Sequence, residues 1–361
     1  MALTLTCIEA HAEGEPGRVI IDADALVPGK TIEERFAYAA RELHGLRRLV
    51  LHEPRGYPGL CAVLALTPSD PRADVAIIVM EQGAFTPMSG SNTICTVTAL
   101  LETGRIPMVE PVTTVTLETA VGLVSVDARC ESGKVLAVTI KNVPAFAVHL
   151  GVPLEIPVDP RVEPGAEWGQ TRIVPVDVAF GGQFFVLARA EDLGVGLAPA
   201  DVPALQSIGS RLKLAVNRQY PVKHPLNPEI DSINLVMITG PSPAPGIDGR
   251  NAMVMATDQL SDDPATWTGA LDRSPCGTGT CARMACMHAR DELALDAPFV
   301  HQGMLDTTFT GMLVGKTTVG DYAAVLPTIT GRGWVTGRTE WVLDDSDPFP
   351  EGYTIGDIWP A

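Results

Sequence analysis

Two short stretches of this 361-residue sequence join a group able to move a proton to a turn able to bind an anion. The first is Met88-Ser89-Gly90-Ser91-Asn92-Thr93-Ile94, and the second is Asp272-Arg273-Ser274-Pro275-Cys276-Gly277-Thr278-Gly279-Thr280. Each leads into an apolar segment of helical composition, residues 93–101 and 281–290. The first N–H groups of a helix have no internal partner and carry partial positive charge, so a turn of small residues there can close around a carboxylate. Gly90 and Gly277 would let the backbone approach such a ligand closely. A thiol at a helix start, as Cys276 is placed, has an increased thiolate fraction and is a candidate base. One glycine-rich helix start is weak evidence, because many are ordinary caps. Two of them, each preceded by a proton carrier, point to one active site.

The other cysteines fit structural places better. Cys95, Cys281 and Cys286 fall on apolar helix faces, and Cys7, Cys61 and Cys130 fall in strand-like segments. The spacing 276, 281, 286 is not a metal-binding pair pattern and no histidine follows at ligand distance, so no metal is expected; His288 reads as a helix-surface or core residue. Seven is an odd number of cysteines, which does not suggest a disulfide framework in a chain this long.

The elements that must position these groups can be read in outline. Residues 3–21 form two β-rich pieces about the turn-forming cluster 11–17, and a helix follows over 31–43 with Thr31 as its cap and Glu33 and Glu34 in its first turn. Strands are expected at 60–67 and 74–81, then the Ser89 turn and a buried helix ending at Gly104, then strands within 112–142, with 121–126 the clearest. Proline and acidic residues crowd 152–167, where a linker is expected. The second half repeats the plan, with strands at 172–179 and 183–188, a helix near 201–216, strands at 231–239 and 250–257, and the Cys276 turn launching another buried helix. Two related α/β halves follow, about 1–160 and 168–335, with 336–361 a candidate to return to the first.

Composition narrows the function. Apolar residues make up 46% of the chain and aromatic residues 5%, a globular balance in which strands and small-residue packing build the core. A net charge of −17 would repel a phosphate backbone, so no nucleic-acid partner is expected and an anionic substrate must find a local positive site. No run of 18 apolar residues occurs and the first twelve residues lack a basic start, so neither a membrane partner nor a signal segment is expected and the chain reads as cytoplasmic. Neither a phosphate-loop nor a dinucleotide fingerprint is present, and no cofactor is expected. Homodimers are common among soluble enzymes, and a homodimer is the assembly to test for here.

The Asp272–Thr280 stretch closely resembles the second catalytic motif of the proline racemase-like family, which includes proline racemases, hydroxyproline 2-epimerases and trans-3-hydroxy-L-proline dehydratases. Met88–Ile94 resembles its first motif, and His11-Ala12-Glu13-Gly14-Glu15-Pro16 its N-terminal one. The resemblance implies two pseudo-symmetric diaminopimelate-epimerase-like domains, each a twisted sheet around a central helix, with the substrate in the cleft between them. It implies a small imino acid, hydroxyproline or proline, as substrate. Its carboxylate would be held by backbone N–H groups at Gly90, Ser91, Gly277 and Thr278, its ring nitrogen by Asp272, and Ser89 and Cys276 would be the catalytic pair. Two residues depart from the family pattern: the first catalytic cysteine is Ser89 here, and the histidine usual two positions later is Ser91.

Those departures shape the expected reaction. A two-way epimerase needs a proton carrier on each face of Cα, and serine donates a proton readily but is a poor base unless activated. β-Elimination from trans-3-hydroxyproline asks for less, since its hydroxyl lies on the same face as the Cα hydrogen and one residue can serve both. The sequence therefore favours a trans-3-hydroxy-L-proline dehydratase giving pyrroline-2-carboxylate. The alternative is a 4-hydroxyproline 2-epimerase, or an enzyme with both activities; a third reading is an imino-acid-binding protein that has lost catalysis.

Overall fold

The computed structural model describes residues 3–228, 230–256 and 259–356. The described residues divide into two compact units, one formed by those up to Lys141 together with 330–356, the other by Asn142–Ile329. Six α-helices occur among the described residues: α1 (Ile32–Glu42), α2 (His44–Leu51), α3 (Gly90–Glu102), α4 (Ala190–Leu193), α5 (Val202–Gln219) and α6 (Gly277–Ala289).

In the first unit the strand Leu3–Ala12 pairs antiparallel on one side with Glu15–Ile21 and on the other with Gly333–Leu343, in a register that sets Leu3 against Leu343 and Ala12 against Gly333. Glu15–Ile21 continues in parallel to Cys61–Leu66, which pairs antiparallel with Val75–Met80; that strand runs parallel to Val112–Thr119. Antiparallel strands Gly122–Glu131 and Lys134–Lys141 complete the unit. Strands Cys61–Leu66 and Val75–Met80 are buried on both faces and accordingly read as unbroken apolar runs. Ala62, Leu64, Leu66, Ala76, Ile78 and Met80 pack with Ile32 and Ala39 of α1 and Leu49–Leu51 of α2.

Helix α3 packs against five strands of this unit: Leu3–Ala12, Glu15–Ile21, Gly333–Leu343, Lys134–Lys141 and Cys61–Leu66. Its residues from Gly90 to Leu101 are all buried, which a helix one-sidedly covering a sheet would not show. Of its buried threonines 93, 96 and 98, Thr96 bonds back to the preceding turn, its Oγ1 donating to the Asn92 carbonyl at 2.8 Å.

The second unit begins with Phe146–Pro157, antiparallel to Thr171–Phe180, which pairs with Phe184–Arg189. Phe184–Arg189 lies parallel to Ile233–Gly240, followed by antiparallel Gly249–Ala256 and the short Gly269–Leu271. Pro298–Gln302 runs parallel to the start of Gly249–Ala256 and antiparallel to Thr308–Val319. Helix α5 packs on Ile233–Gly240 and Gly249–Ala256, closing a core of Leu205, Ile208, Leu212, Val236, Ile238 and Val254. Helix α6 is the counterpart of α3, packed against Phe146–Pro157, Thr171–Phe180, Phe184–Arg189 and Thr308–Val319.

The structure departs from the sequence reading at several places. The chain passes between units at Lys141/Asn142, whereas the proline- and acid-rich stretch read as a linker lies inside the second unit and contributes strand Phe146–Pro157. Leu154 and Ile156 of that strand are fully buried, so its alternate residues face the core. The expected strand at 121–126 begins at Gly122, Val121 being in the turn, and α2 was not foreseen. Residue 257, expected to end a strand, and residues 357–361 of the expected returning segment lie outside the described residues.

Candidate active site

Ser89 is the residue that enters α3, with extended backbone at φ −143° and ψ 129°. Serine is among the best helix caps, and in the same unit Thr31 does cap α1, its hydroxyl accepting from the Glu34 N–H at 3.3 Å. Ser89 makes no such bond. Its Oγ instead receives the Asn92 Nδ2 at 3.0 Å and lies 3.4 Å from the Ser91 Oγ. The cap side chain thus leaves the first-turn N–H groups, including those of Gly90 and Ser91, to other partners.

Cys276 enters α6 in a different conformation, φ 61° and ψ 108°. A non-glycine residue there is uncommon, and such strain costs on the order of 1–3 kcal/mol unless the surroundings impose it. Its N–H donates to the Ser274 Oγ at 3.1 Å, and the Ser274 N–H donates to the Asp272 Oδ1 at 2.7 Å. Asp272 is tied in turn by its own N–H to the Met253 carbonyl at 3.0 Å. The Cys276 thiol makes no cap bond, lies 3.9 Å from the Thr278 Oγ1, and packs among Phe185, Met237 and Met253. A methyl group on Gly279 would sit 3.1 Å from the Cys276 sulfur and 2.3 Å from the Met237 methyl, so only glycine fits beside the thiol without displacement.

The first unit therefore gathers Ser89, Gly90 and Ser91, and the second gathers Asp272, Cys276, Gly277 and Thr278, each set at the start of its unit's enclosed helix. Ser89 and Asp272 are 8% exposed and Cys276 7%, a setting in which charge-assisted hydrogen bonds are strong. The third sequence stretch, 11–16, forms the hairpin between Leu3–Ala12 and Glu15–Ile21, both of which pack on α3. His11 stacks on Trp334 with ring centroids 4.9 Å apart, and burial raises the Glu13 carboxyl above its usual range, offset in part by Arg332.

The remaining six cysteines are all buried and none is in a disulfide. Burial pushes the Cys281 thiol up to about 12 and the thiols of Cys95 and Cys286 upward as well, so these three stay protonated. Asn92, Asn251, Ser274, Thr280 and His301 are polar groups bonded to the two helix starts that sequence reasoning missed. Ser274 had a local signal, since a serine two residues before a helix entry commonly accepts from that backbone. His301 had none. Among the described residues no cluster of three or more potential ligands could hold a metal ion, and no helix is long and apolar enough to cross a membrane.

Comparison with known proteins decides the family. The sequence model described as proline racemase matches residues 7–354, nearly the whole chain. The chain belongs to the proline racemase family. This family member is 39% identical to a 4-hydroxyproline 2-epimerase of Streptosporangium roseum over 348 residues, 96% of this chain and 97% of the relative. Its structure matches that of a hydroxyproline epimerase from Agrobacterium vitis, solved with trans-4-hydroxy-L-proline bound, at a TM-score of 0.87 and 36% identity, covering 99% of this chain and 97% of the other. A PhzF-family phenazine biosynthesis protein of Bacillus anthracis shares the fold alone, at a TM-score of 0.57 and 13% identity over 94% of this chain and 99% of the other. The enzyme thus has the mixed α/β, diaminopimelate-epimerase-like fold of the family.

Proposed function

We propose that this enzyme is a cofactor-independent 4-hydroxyproline 2-epimerase in which Ser89 and Cys276 are the two proton carriers. The observation that carries the choice of reaction is the kinship with the S. roseum enzyme bearing that name, at 39% identity across 97% of its length. The helix starts supply the groups the reaction needs. One carrier removes the Cα proton while the other returns a proton to the opposite face, and the roles exchange in reverse. The carbanion develops next to a carboxylate, so holding that carboxylate on backbone N–H groups of Gly90, Ser91, Gly277 and Thr278 stabilises the negative charge as it spreads. Asp272 receives the ring nitrogen. A cationic ring nitrogen beside Cα acidifies the hydrogen, and its ion pair with Asp272 fixes which hydrogen meets the carrier.

Dehydration of trans-3-hydroxy-L-proline, favoured on the sequence alone, becomes the second reading. What keeps it in view is Ser89, whose Oγ accepts from the Asn92 amide at 3.0 Å and which is a weaker base than a thiol. Incubation with trans-4-hydroxy-L-proline, trans-3-hydroxy-L-proline and L-proline in parallel, followed by chiral chromatography and assay for pyrroline-2-carboxylate, separates the readings. Inversion at Cα of the 4-hydroxy substrate with no loss of its hydroxyl supports the epimerase. Pyrroline-2-carboxylate from the 3-hydroxy substrate without any inversion would replace it by the dehydratase, and no reaction at all would favour an imino-acid-binding protein.

A further inference from the structure

The left-handed backbone of Cys276 is held by a set of side chains that the reaction itself does not call for. The Cys276 carbonyl accepts from the Thr280 N–H at 2.9 Å and from the Thr280 hydroxyl at 2.7 Å, and the preceding carbonyl, of Pro275, accepts from the Asn251 Nδ2 at 2.9 Å. Thr280 and His301 are fully buried, and Asn251 is 1% exposed. The His301 Nε2 lies 2.8 Å from the Arg283 Nη1 and 3.0 Å from the Asn251 Nδ2. A guanidinium nitrogen can only donate, so Nε2 is the acceptor and the ring proton sits on Nδ1. Nδ1 is 2.7 Å from the Thr280 Oγ1 and donates to it. With that lone pair occupied, the Thr280 hydroxyl hydrogen is turned onto the Cys276 carbonyl. Burial, with the neighbouring Arg283 charge, keeps the His301 pKa well below 6.5, so the ring remains the neutral tautomer the chain of bonds requires.

We propose that Arg283, His301 and Thr280 form a hydrogen-bonded relay of positioning residues that holds Cys276 in its left-handed conformation and thereby aims its thiol. The proposal rests on the reading of Cys276 as a proton carrier. Arg283 fixes the histidine tautomer, the histidine fixes the threonine rotor, and the threonine fixes the peptide plane that follows Cys276. A network of this kind is worth more than its separate bonds, because each member orients the next. His301 is fully buried and Arg283 partly so, and among the described residues neither forms an ion pair with a carboxylate.

The test compares Thr280→Val, which keeps the shape and removes the hydroxyl, with Thr280→Ser, which restores it. For trans-4-hydroxy-L-proline, Thr280→Val should lower kcat about tenfold or more while KM stays within about twofold, and Thr280→Ser should recover kcat to within about threefold. Alkylation of Cys276 by iodoacetamide, followed by mass spectrometry of its peptide, should slow in Thr280→Val and recover in Thr280→Ser. Circular dichroism on the same samples monitors folding. Should Thr280→Val not fold, Thr280→Cys, with only a weak donor, takes its place with the same expected split. An unchanged kcat and alkylation rate in a folded variant, or a loss confined to KM, would overturn the proposal. Cys276→Ser measured alongside keeps the two claims apart. If that variant is fully active, the functional reading fails; if it is inactive while Thr280→Val turns over normally, only the relay fails.

Discussion

The starts of α3 and α6 use one device in two conditions. At α3 a serine stands in ordinary extended backbone, and its Oγ receives a hydrogen bond from the Asn92 amide one turn on. At α6 a cysteine stands at φ 61°, with its N–H, its carbonyl and the preceding carbonyl each taken by a side chain. The fold thus spends its strain on the thiol and leaves the hydroxyl relaxed. That division suits the chemistry of the two groups. A thiolate is an effective base only where it is aimed at the hydrogen, whereas a hydroxyl serves first as a donor and needs little more than a fixed lone pair.

The comparison breaks most severely at Cys276. Cys276→Ser makes both carriers hydroxyls and should lower kcat by about 10²–10⁴-fold, the range of general acid–base catalysis, with the fold intact by circular dichroism. Asp272→Asn comes next. Removing one partner of a buried charged hydrogen bond costs about 3 kcal/mol, so kcat/KM for imino acids should fall on the order of 100-fold, and unchanged kinetics would show that the ring nitrogen lies elsewhere.

Ser89→Ala sharpens the comparison from the other side. Epimerisation of 4-hydroxyproline should disappear, while any dehydration of 3-hydroxyproline should persist, because elimination needs one carrier; loss of both activities would mean that Ser89 also serves elimination. Ser89→Cys should raise epimerisation relative to dehydration, tenfold for each ~1.4 kcal/mol removed from the barrier.

The smallest effect is on stability. His301 has its pKa depressed in the folded chain, so the unfolded chain binds the proton first as pH falls. Its contribution to stability is complete above about pH 6.5 and declines below it. Burial also lowers the pKa values of His11, His52 and His224, so the thermal midpoint of the whole protein should fall with them. Subtracting the profile of His301→Gln isolates the pH dependence due to His301, whose slope should vanish above about pH 7; parallel profiles at every pH would show that the ring is not held neutral.

Much of this architecture is written locally. Thr31 followed by Glu33 and Glu34 announces α1, and the apolar runs at 61–66 and 75–80 announce doubly covered strands. The enclosed helices α3 and α6 are legible because small and apolar residues surround them on every side rather than along one stripe. The stretch 152–167 misleads because Pro153 and Pro157 look like punctuation. Pro153 is in register with Pro175 of the neighbouring strand, and Val152, Leu154 and Ile156 keep the alternation of a strand beneath them. Helix α2 hides because it begins where α1 ends, with Leu43 serving as the last cap of one and the first of the other. His301, in a strand, reaches Thr280 and Asn251 through tertiary structure alone, and no spacing in the sequence could bring these three together. Likewise, nothing local in 333–343 states that its partner is 3–12.

The central claim is that Ser89 and Cys276 exchange the Cα proton of 4-hydroxyproline with no added cofactor. Its most direct test is incubation of the purified enzyme with trans-4-hydroxy-L-proline in heavy water, with the product read by proton NMR and chiral chromatography. The account predicts cis-4-hydroxy-D-proline carrying deuterium at Cα and retaining its hydroxyl, with inversion lost in both Cys276→Ser and Ser89→Ala. Product without deuterium at Cα, or undiminished inversion in either variant, would contradict it.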